Sequence, residues 1–242
     1  MDRKKVAVVT GGATGIGASC VRELAGKGFR VGIHYRSSAP AAAALRDEIG
    51  DGLLLQADLE ETAQVESLLE RLKGETNRLD VLVNNAGNSI DLDMQRMRIE
   101  QFDAQRALLR GVWLLIKRVL RLFMLRAGNG RIINISSVVG HTGNGGQIPY
   151  TMEKASLDAL TKSLCFELAG RNILVNSVAP GFIDTGMTAR LPEEIRTGIL
   201  DRVPLGRMGR PEEVAEVVGF LATAGSYISG TVIHVNGGLY GG

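Results

Sequence analysis

The chain has 242 residues, 45% of them apolar and 22% charged, with a formal net charge of +2. That length and balance suit one globular unit that buries its own core without disulfides or metals. So small a charge, with no lysine/arginine block, argues against nucleic acid as a partner.

The start, Met1-Asp2-Arg3-Lys4-Lys5, leads directly into Val6-Ala7-Val8-Val9, without an apolar stretch of signal-peptide length. No segment approaches the roughly 20 apolar residues that span a bilayer. Cys20 and Cys165 lie far apart without CxxC spacing. They read as reduced, partly buried small hydrophobes, and a cytoplasmic location is expected.

Short β-branched runs alternate with helical patterns. Strands are expected at Val6–Thr10, Arg30–His34, Leu53–Gln56, Val81–Asn84, Ile132–Ile135, Leu174–Val178 and Val232–Val235. Their apolar letters run on without strict alternation, as in parallel strands covered on both faces. Helices are expected near 16–27, 41–49, 61–74, 101–127, 151–170 and 211–224. This order predicts an α/β fold: a single Rossmann-type, doubly wound parallel sheet of about seven strands flanked by helices. No repeat or linker divides residues 1–242, so one domain is expected. The least regular stretch, about 181–210, is expected to form a lid on the substrate side. The 101–127 helix is apolar almost all round, which predicts burial on several sides, in the core or against a partner.

The first expected strand ends in Thr10-Gly11-Gly12-Ala13-Thr14-Gly15-Ile16-Gly17. Gly11 permits a tight turn, Gly15 lets the backbone approach a pyrophosphate, and Gly17 permits close helix packing. Thr14, Gly15, Ile16 and Gly17 open a helix whose free amides favour phosphate. At the end of the second strand an acidic residue would select NAD, and an arginine would suit NADP. The segment His34-Tyr35-Arg36-Ser37-Ser38 has no carboxylate. Arg36 is either an exposed loop arginine or, with Ser37, a ligand for a 2′-phosphate, and the missing carboxylate favours NADP(H). Asp58, with Leu59 beside it, follows the third strand where a carboxylate can meet the adenine amino group. Asn84-Asn85-Ala86-Gly87 follows the fourth, where small residues leave room for the cofactor.

Tyr150 and Lys154 are four residues apart in a helical pattern and share one face. An ammonium beside a phenol favours the phenolate, which tunes a tyrosine for proton exchange with a carbonyl or alcohol oxygen. Ser137, at the end of the fifth strand, can hydrogen-bond the same oxygen. The pair alone would be an ordinary helix face; with the glycine turn and the serine it reads as catalytic.

Together, Thr10–Gly17, Asn84–Gly87, Ser137, Tyr150-Thr151-Met152-Glu153-Lys154 and Pro180-Gly181 resemble the short-chain dehydrogenase/reductase pattern over essentially the whole chain. Within that family the chain is most similar to the 3-oxoacyl-acyl-carrier-protein reductases of fatty-acid synthesis. Gly143-Asn144-Gly145-Gly146-Gln147, Val203-Pro204-Leu205-Gly206-Arg207 and His234-Val235-Asn236-Gly237-Gly238 carry the likeness onward. The resemblance implies hydride delivery to a β-keto carbonyl, with Tyr150 as proton donor and Ser137 orienting the carbonyl. Lys154 would hold the nicotinamide ribose and tune Tyr150, and Ile183 and Thr185 would contact the nicotinamide beyond Pro180-Gly181. It also implies a tetramer, or a dimer, built on the 101–127 and 151–170 helices.

Two departures stand out. The family pattern places an asparagine in the fifth helix to hold a relay water, and ungapped spacing puts Leu109 there. The relay loses a side chain, although the backbone carbonyl could still hold the water, so a slower enzyme is expected. Of two basic positions that would dock an acidic acyl carrier protein, Arg171 matches one. The other is Gly128, with Arg126 close enough to substitute; solvated surface explains both arginines equally well. His34, His141 and His234 lack ligand-like spacing, so no metal is expected. The leading reading is an NADP-dependent ketoreductase acting on a 3-oxoacyl thioester. The alternatives are another ketone, alcohol or acetoacetyl-CoA as substrate, or a weakly active cofactor-binding subunit.

Overall fold

The computed structural model describes residues 4–186, 188 and 193–241. Its strands are β1 (Val6–Val9), β2 (Arg30–Tyr35), β3 (Gly52–Gln56), β4 (Val81–Asn84), β5 (Gly130–Ile135), β6 (Ile173–Pro180) and β7 (Val232–Val235). They form one sheet in the order β3-β2-β1-β4-β5-β6-β7, and every pairing is parallel. The helices are α1 (Gly15–Gly26), α2 (Ala39–Ile49), α3 (Thr62–Glu75), α4 (Ile99–Val119), α5 (Leu125–Ala127), α6 (Val139–Thr142), α7 (Ile148–Leu168), α8 (Glu193–Leu200) and α9 (Pro211–Thr223).

Successive strand residues point to opposite faces, and both faces are apolar. Val6 and Val8 join a core with Leu68 and Leu72 of α3, Leu115 and Ile116 of α4 and Leu157 of α7. Ala7 and Val9 join another with Val21 and Leu24 of α1 and Val214 and Val218 of α9. Burial of each such leucine, isoleucine or valine contributes about 1.5–3 kcal/mol, so the central strands carry no polar face. The chain winds outward from β1 to β3, then returns to the other side of β1 with β4. The carboxyl ends of β1 and β4 therefore open a crevice, the usual ligand position in such sheets.

One expectation needs correction. The 101–127 stretch is not one regular helix: α4 ends at Val119 and a π-helical turn covers Leu120–Met124. Short α5 then stops at Gly128, left-handed at φ 61°. The wider turn lets Leu120, Phe123 and Met124 all face the core. Leu108, Val112, Leu115, Ile116 and Val119 of this stretch are buried in the core, while Trp113 remains 50% exposed. The 181–210 stretch contains α8 and is tied at its ends by a parallel bridge between Ile183 and Gly209. Residues 187 and 189–192 of the expected lid lie outside the described residues.

Both cysteines are free, and burial pushes the Cys20 thiol up to about 12. Among the described residues no helix is long and apolar enough to cross a membrane.

Candidate active site

The glycine turn is held from three sides. Gly11 and Gly15 adopt positive φ of 60° and 53°, a region that side chains other than glycine's avoid. The Gly11 N–H donates to His34 Nδ1 at 3.0 Å, and His34 Nε2 reaches the Ala57 carbonyl at 3.0 Å. One buried imidazole thus ties the turn to β2 and β3. Burial lowers the His34 pKa to about 4, although the Ala57 hydrogen bond acts against the shift. Asn85 Nδ2 donates to the carbonyls of Thr10 and Gly11 at 3.0 and 3.1 Å. Thr10 Oγ1 accepts the backbone N–H groups of Asn85 and Ala86. At Gly17 a Cβ would lie 2.1 Å from the Gly11 carbonyl oxygen, so only glycine lets α1 start there.

Helix α1 begins with Thr14 making no side-chain cap and with no acidic residue in its first turn. The turn that leads into α1 borders a cleft of about 200 Å³, lined by Gly11, Thr14, Arg36, Ser37, Asp58, Leu59, Ala86 and Gly87 among others. A glycine cradle, helix amides, hydroxyls and a guanidinium fit a dinucleotide phosphate. Arg36 is 57% exposed and already lies 3.3 Å from Glu60 and 3.9 Å from Asp58.

The three candidate reacting groups, Ser137, Tyr150 and Lys154, sit at the same edge of the sheet. Ser137 follows β5, and its Oγ accepts the Val139 N–H at 3.3 Å. Gly140 then brings this segment against α7: a Cβ there would meet Ala155 N at 3.0 Å and Lys154 C at 3.1 Å. That approach holds the serine beside the helix carrying Tyr150 and Lys154. Helix α7 starts at Ile148 with Pro149 in its first turn, where a proline costs no hydrogen bond. Tyr150 therefore already lies in the helix, one turn before Lys154. Lys154 is 3% exposed; its Nζ donates to the Ile135 carbonyl at 3.2 Å and lies 5.4 Å from the Tyr150 ring centroid. Gly87 leaves room at the same point, since a Cβ there would be 3.3 Å from Lys154 Nζ. Gly87 lines the cleft as well, so the cleft and the helix carrying Tyr150 and Lys154 are contiguous.

Pro180 ends β6 and its carbonyl accepts the Val138 N–H, while Gly181 N–H donates to Val235 O. Ile183 is buried. Thr185 is shaped by Thr188, whose hydroxyl accepts the Thr185 N–H and donates to Ile183 O at 2.7 Å. Leu109 lines a different surface, an outer groove between α4 and α7 with Trp113 and Leu160. Arg126, in α5, and Arg171 are exposed and lie a few residues before β5 and β6, at the opposite edge of the sheet from Ser137. Among the described residues no group of His, Cys, Asp and Glu could hold a metal ion.

Sequence reading missed Glu153 and Gln105. Glu153 is 4% and Gln105 0% exposed; Gln105 Nε2 donates to Glu153 Oε2 at 2.6 Å, and Glu153 Oε1 lies 3.7 Å from Lys154 Nζ. Desolvation raises the Glu153 pKa, while the Lys154 charge and the Gln105 hydrogen bond act against it. The only signal was an acidic letter next to the expected lysine.

A phosphate cradle at the sheet's switch point, continuous with a serine, a tyrosine and a lysine, defines a nucleotide-dependent oxidoreductase. The chain belongs to the short-chain dehydrogenase/reductase family, and a family model described as Enoyl-(Acyl carrier protein) reductase matches residues 11–240. It is 44% identical over 239 residues to the 3-oxoacyl-[acyl-carrier-protein] reductase FabG of Escherichia coli, covering 98% of this chain and 97% of that protein. The Haemophilus influenzae protein of the same name is 46% identical over 241 residues, covering 98% of each. For that of Staphylococcus aureus the identity is 41% over 246 residues, covering 99% and 100%.

Proposed function

We propose that the chain is an NADPH-dependent reductase of 3-oxoacyl thioesters, taking its substrate from an acyl carrier protein in fatty-acid or polyketide-type synthesis in the cytoplasm. The observation that carries this reading is the Tyr150–Lys154 helix pressed against the Ser137 segment through Gly140, beside an open phosphate cradle. Gly11, Thr14, Gly15, Ile16 and Gly17 receive the pyrophosphate, with Asn85 bracing the turn. Arg36 and Ser37 take the 2′-phosphate, and Asp58 and Leu59 flank the adenine. Ala86, Gly87, Pro180, Gly181, Ile183 and Thr185 border the nicotinamide end. The segment 181–210, tied at Ile183 and Gly209, is the lid.

When bound, NADPH supplies the hydride that attacks the keto carbon. The Ser137 hydroxyl orients the carbonyl oxygen, and the Tyr150 O–H gives it a proton, so ketone, hydride and proton together make the alcohol. The buried Lys154 holds the ribose and keeps a positive charge beside Tyr150. A homotetramer, or a dimer, is supported by the α4–α7 groove, where Leu109, Leu160 and half-exposed Trp113 gather, and by the partly exposed edge strand β7.

The test is NADPH oxidation with acetoacetyl thioesters on carrier protein and on CoA, with a crotonyl thioester as control. Wild type should consume NADPH with the keto substrates, fastest on the carrier, and leave the crotonyl thioester untouched. Tyr150→Phe should lose about 100-fold or more of the rate while still binding NADPH. Equal inertness of the two proteins, with NADPH still bound, would make the chain a cofactor-binding subunit instead.

A further inference from the structure

Lys154 is an ammonium almost wholly removed from water, a state that is costly unless a counter-charge and hydrogen bonds accompany it. Its hydrogen bond to the Ile135 carbonyl supplies no charge. The carboxylate beside it is Glu153, equally buried, with Oε1 at 3.7 Å. Consecutive helix residues diverge by about 100°, so this side chain has to be turned back toward Lys154 by something else. Gln105 of α4 does this. Its Oε1 accepts the Ile90 N–H at 3.0 Å, which fixes the amide's orientation. Its Nε2 then faces Glu153 Oε2 at 2.6 Å and the carbonyl and Oδ1 of Asn88 at 3.0 and 3.2 Å. Asn88 Nδ2 continues to Glu60 at 3.4 Å, at the rim of the cofactor cleft.

Helix α4 thus sends an amide toward the catalytic lysine from Gln105, one turn before Leu109, whose own side chain lines the outer groove. The titratable groups facing Glu153 are Lys154 on its own helix and Glu60 from the β3–α3 connection. Helix α4 presents the uncharged Gln105 to it, and the segment after β4 braces that amide with the uncharged Asn88.

We propose that Glu153, held by Gln105, is a positioning residue that pairs with Lys154 and keeps it in place as an ammonium beside Tyr150. This carboxylate–amide pair does for the lysine what a polar side chain at Leu109 cannot. The inference rests on the reductase reading for its effect on rate, but the lysine itself provides an independent readout.

Glu153→Gln keeps the shape and the Gln105 hydrogen bond while removing the charge. In nuclear magnetic resonance titration of the lysine ammonium groups, the Lys154 signal of Glu153→Gln should lose its proton at lower pH than in wild type, whether or not the protein turns over substrate. In the NADPH assay kcat should fall about tenfold or more, with KM for NADPH within about twofold. The alkaline limb of the kcat profile should move to lower pH. Leu109→Asn, whose side chain lines the outer groove, should not restore that loss in the Glu153→Gln background and should change wild type little. An unmoved Lys154 titration overturns the proposal. So does a kcat loss with an unmoved alkaline limb and a lowered melting temperature, which would mark Glu153 as merely structural. Activity in wild type that is lost in Tyr150→Phe but kept in Glu153→Gln would defeat the Glu153 proposal and leave the reductase reading standing.

Discussion

His34 shows how much one side chain can hold. It is 2% exposed at the end of β2, accepts the Gly11 N–H on Nδ1 and is therefore protonated on Nε2, which faces the Ala57 carbonyl. A second proton would break the Gly11 contact and leave a charge in a dry site. Its pKa is accordingly held at about 4 against an ordinary 6.5. Between these values the unfolded chain binds a proton that the folded chain refuses, so stability falls as pH falls through that window. The loss from His34 should be about 2 kcal/mol between pH 7 and pH 5. Urea unfolding at the two pH values should show it in wild type, and His34→Gln should flatten that component; an unchanged difference would refute the assignment. Such a role was invisible in the sequence, because Gly11, His34 and Ala57 meet only through sheet pairing. The same holds for Glu153 and Gln105, 48 residues apart. Gly11, Gly15 and Gly17 stood out because positive φ at the first two and a 2.1 Å contact at the third all favour glycine. Tyr150 and Lys154 were legible because their partnership lies within one helical turn.

At the scale of elements, the strands were expected to within one or two residues, since continuous β-branched runs match parallel strands buried on both faces. Helix ends were less legible. The π turn at Leu120–Met124 answers to core packing, and α8 lies in a stretch whose glycines and prolines suggest only a loop. The β2–α2 connection holds Arg36, the residue proposed to select the cofactor. Arg36 there is shared with Asp58 and Glu60, two carboxylates that would otherwise repel a 2′-phosphate. Arg36→Ala removes a charge-assisted contact and exposes that acidic pair. The kcat/KM for NADPH should drop roughly 10- to 100-fold, given about 1.5–3 kcal/mol for such a bond. NADH, with no phosphate to lose, should change little. Parallel losses with both cofactors would show that Arg36 does not read the phosphate.

For the whole molecule the decisive relation is between the two edges of the sheet. Ser137, Tyr150 and Lys154 gather at the carboxyl edge, whereas Arg126 and Arg171 stand at the amino edge, before β5 and β6. Strand β5 has six residues, so at about 3.3 Å each the edges are about 20 Å apart. A carrier protein seated on these arginines faces away from the cleft of its own subunit. If both arginines serve docking, they serve a neighbour's cleft, which makes assembly part of substrate delivery. Replacing both with glutamate should raise KM for the carrier-bound substrate about tenfold or more, because each acidic contact changes sign. The CoA thioester should be reduced as before. Co-expression then separates the two geometries. A Tyr150→Phe protomer keeps the arginines but cannot protonate, and an Arg126→Glu/Arg171→Glu protomer keeps the catalytic groups but cannot dock. Mixed oligomers should recover a low-KM activity that neither parent has, since the first protomer docks the carrier for the cleft of the second. Mixtures that behave only as the sum of their parents would return docking to each subunit's own surface.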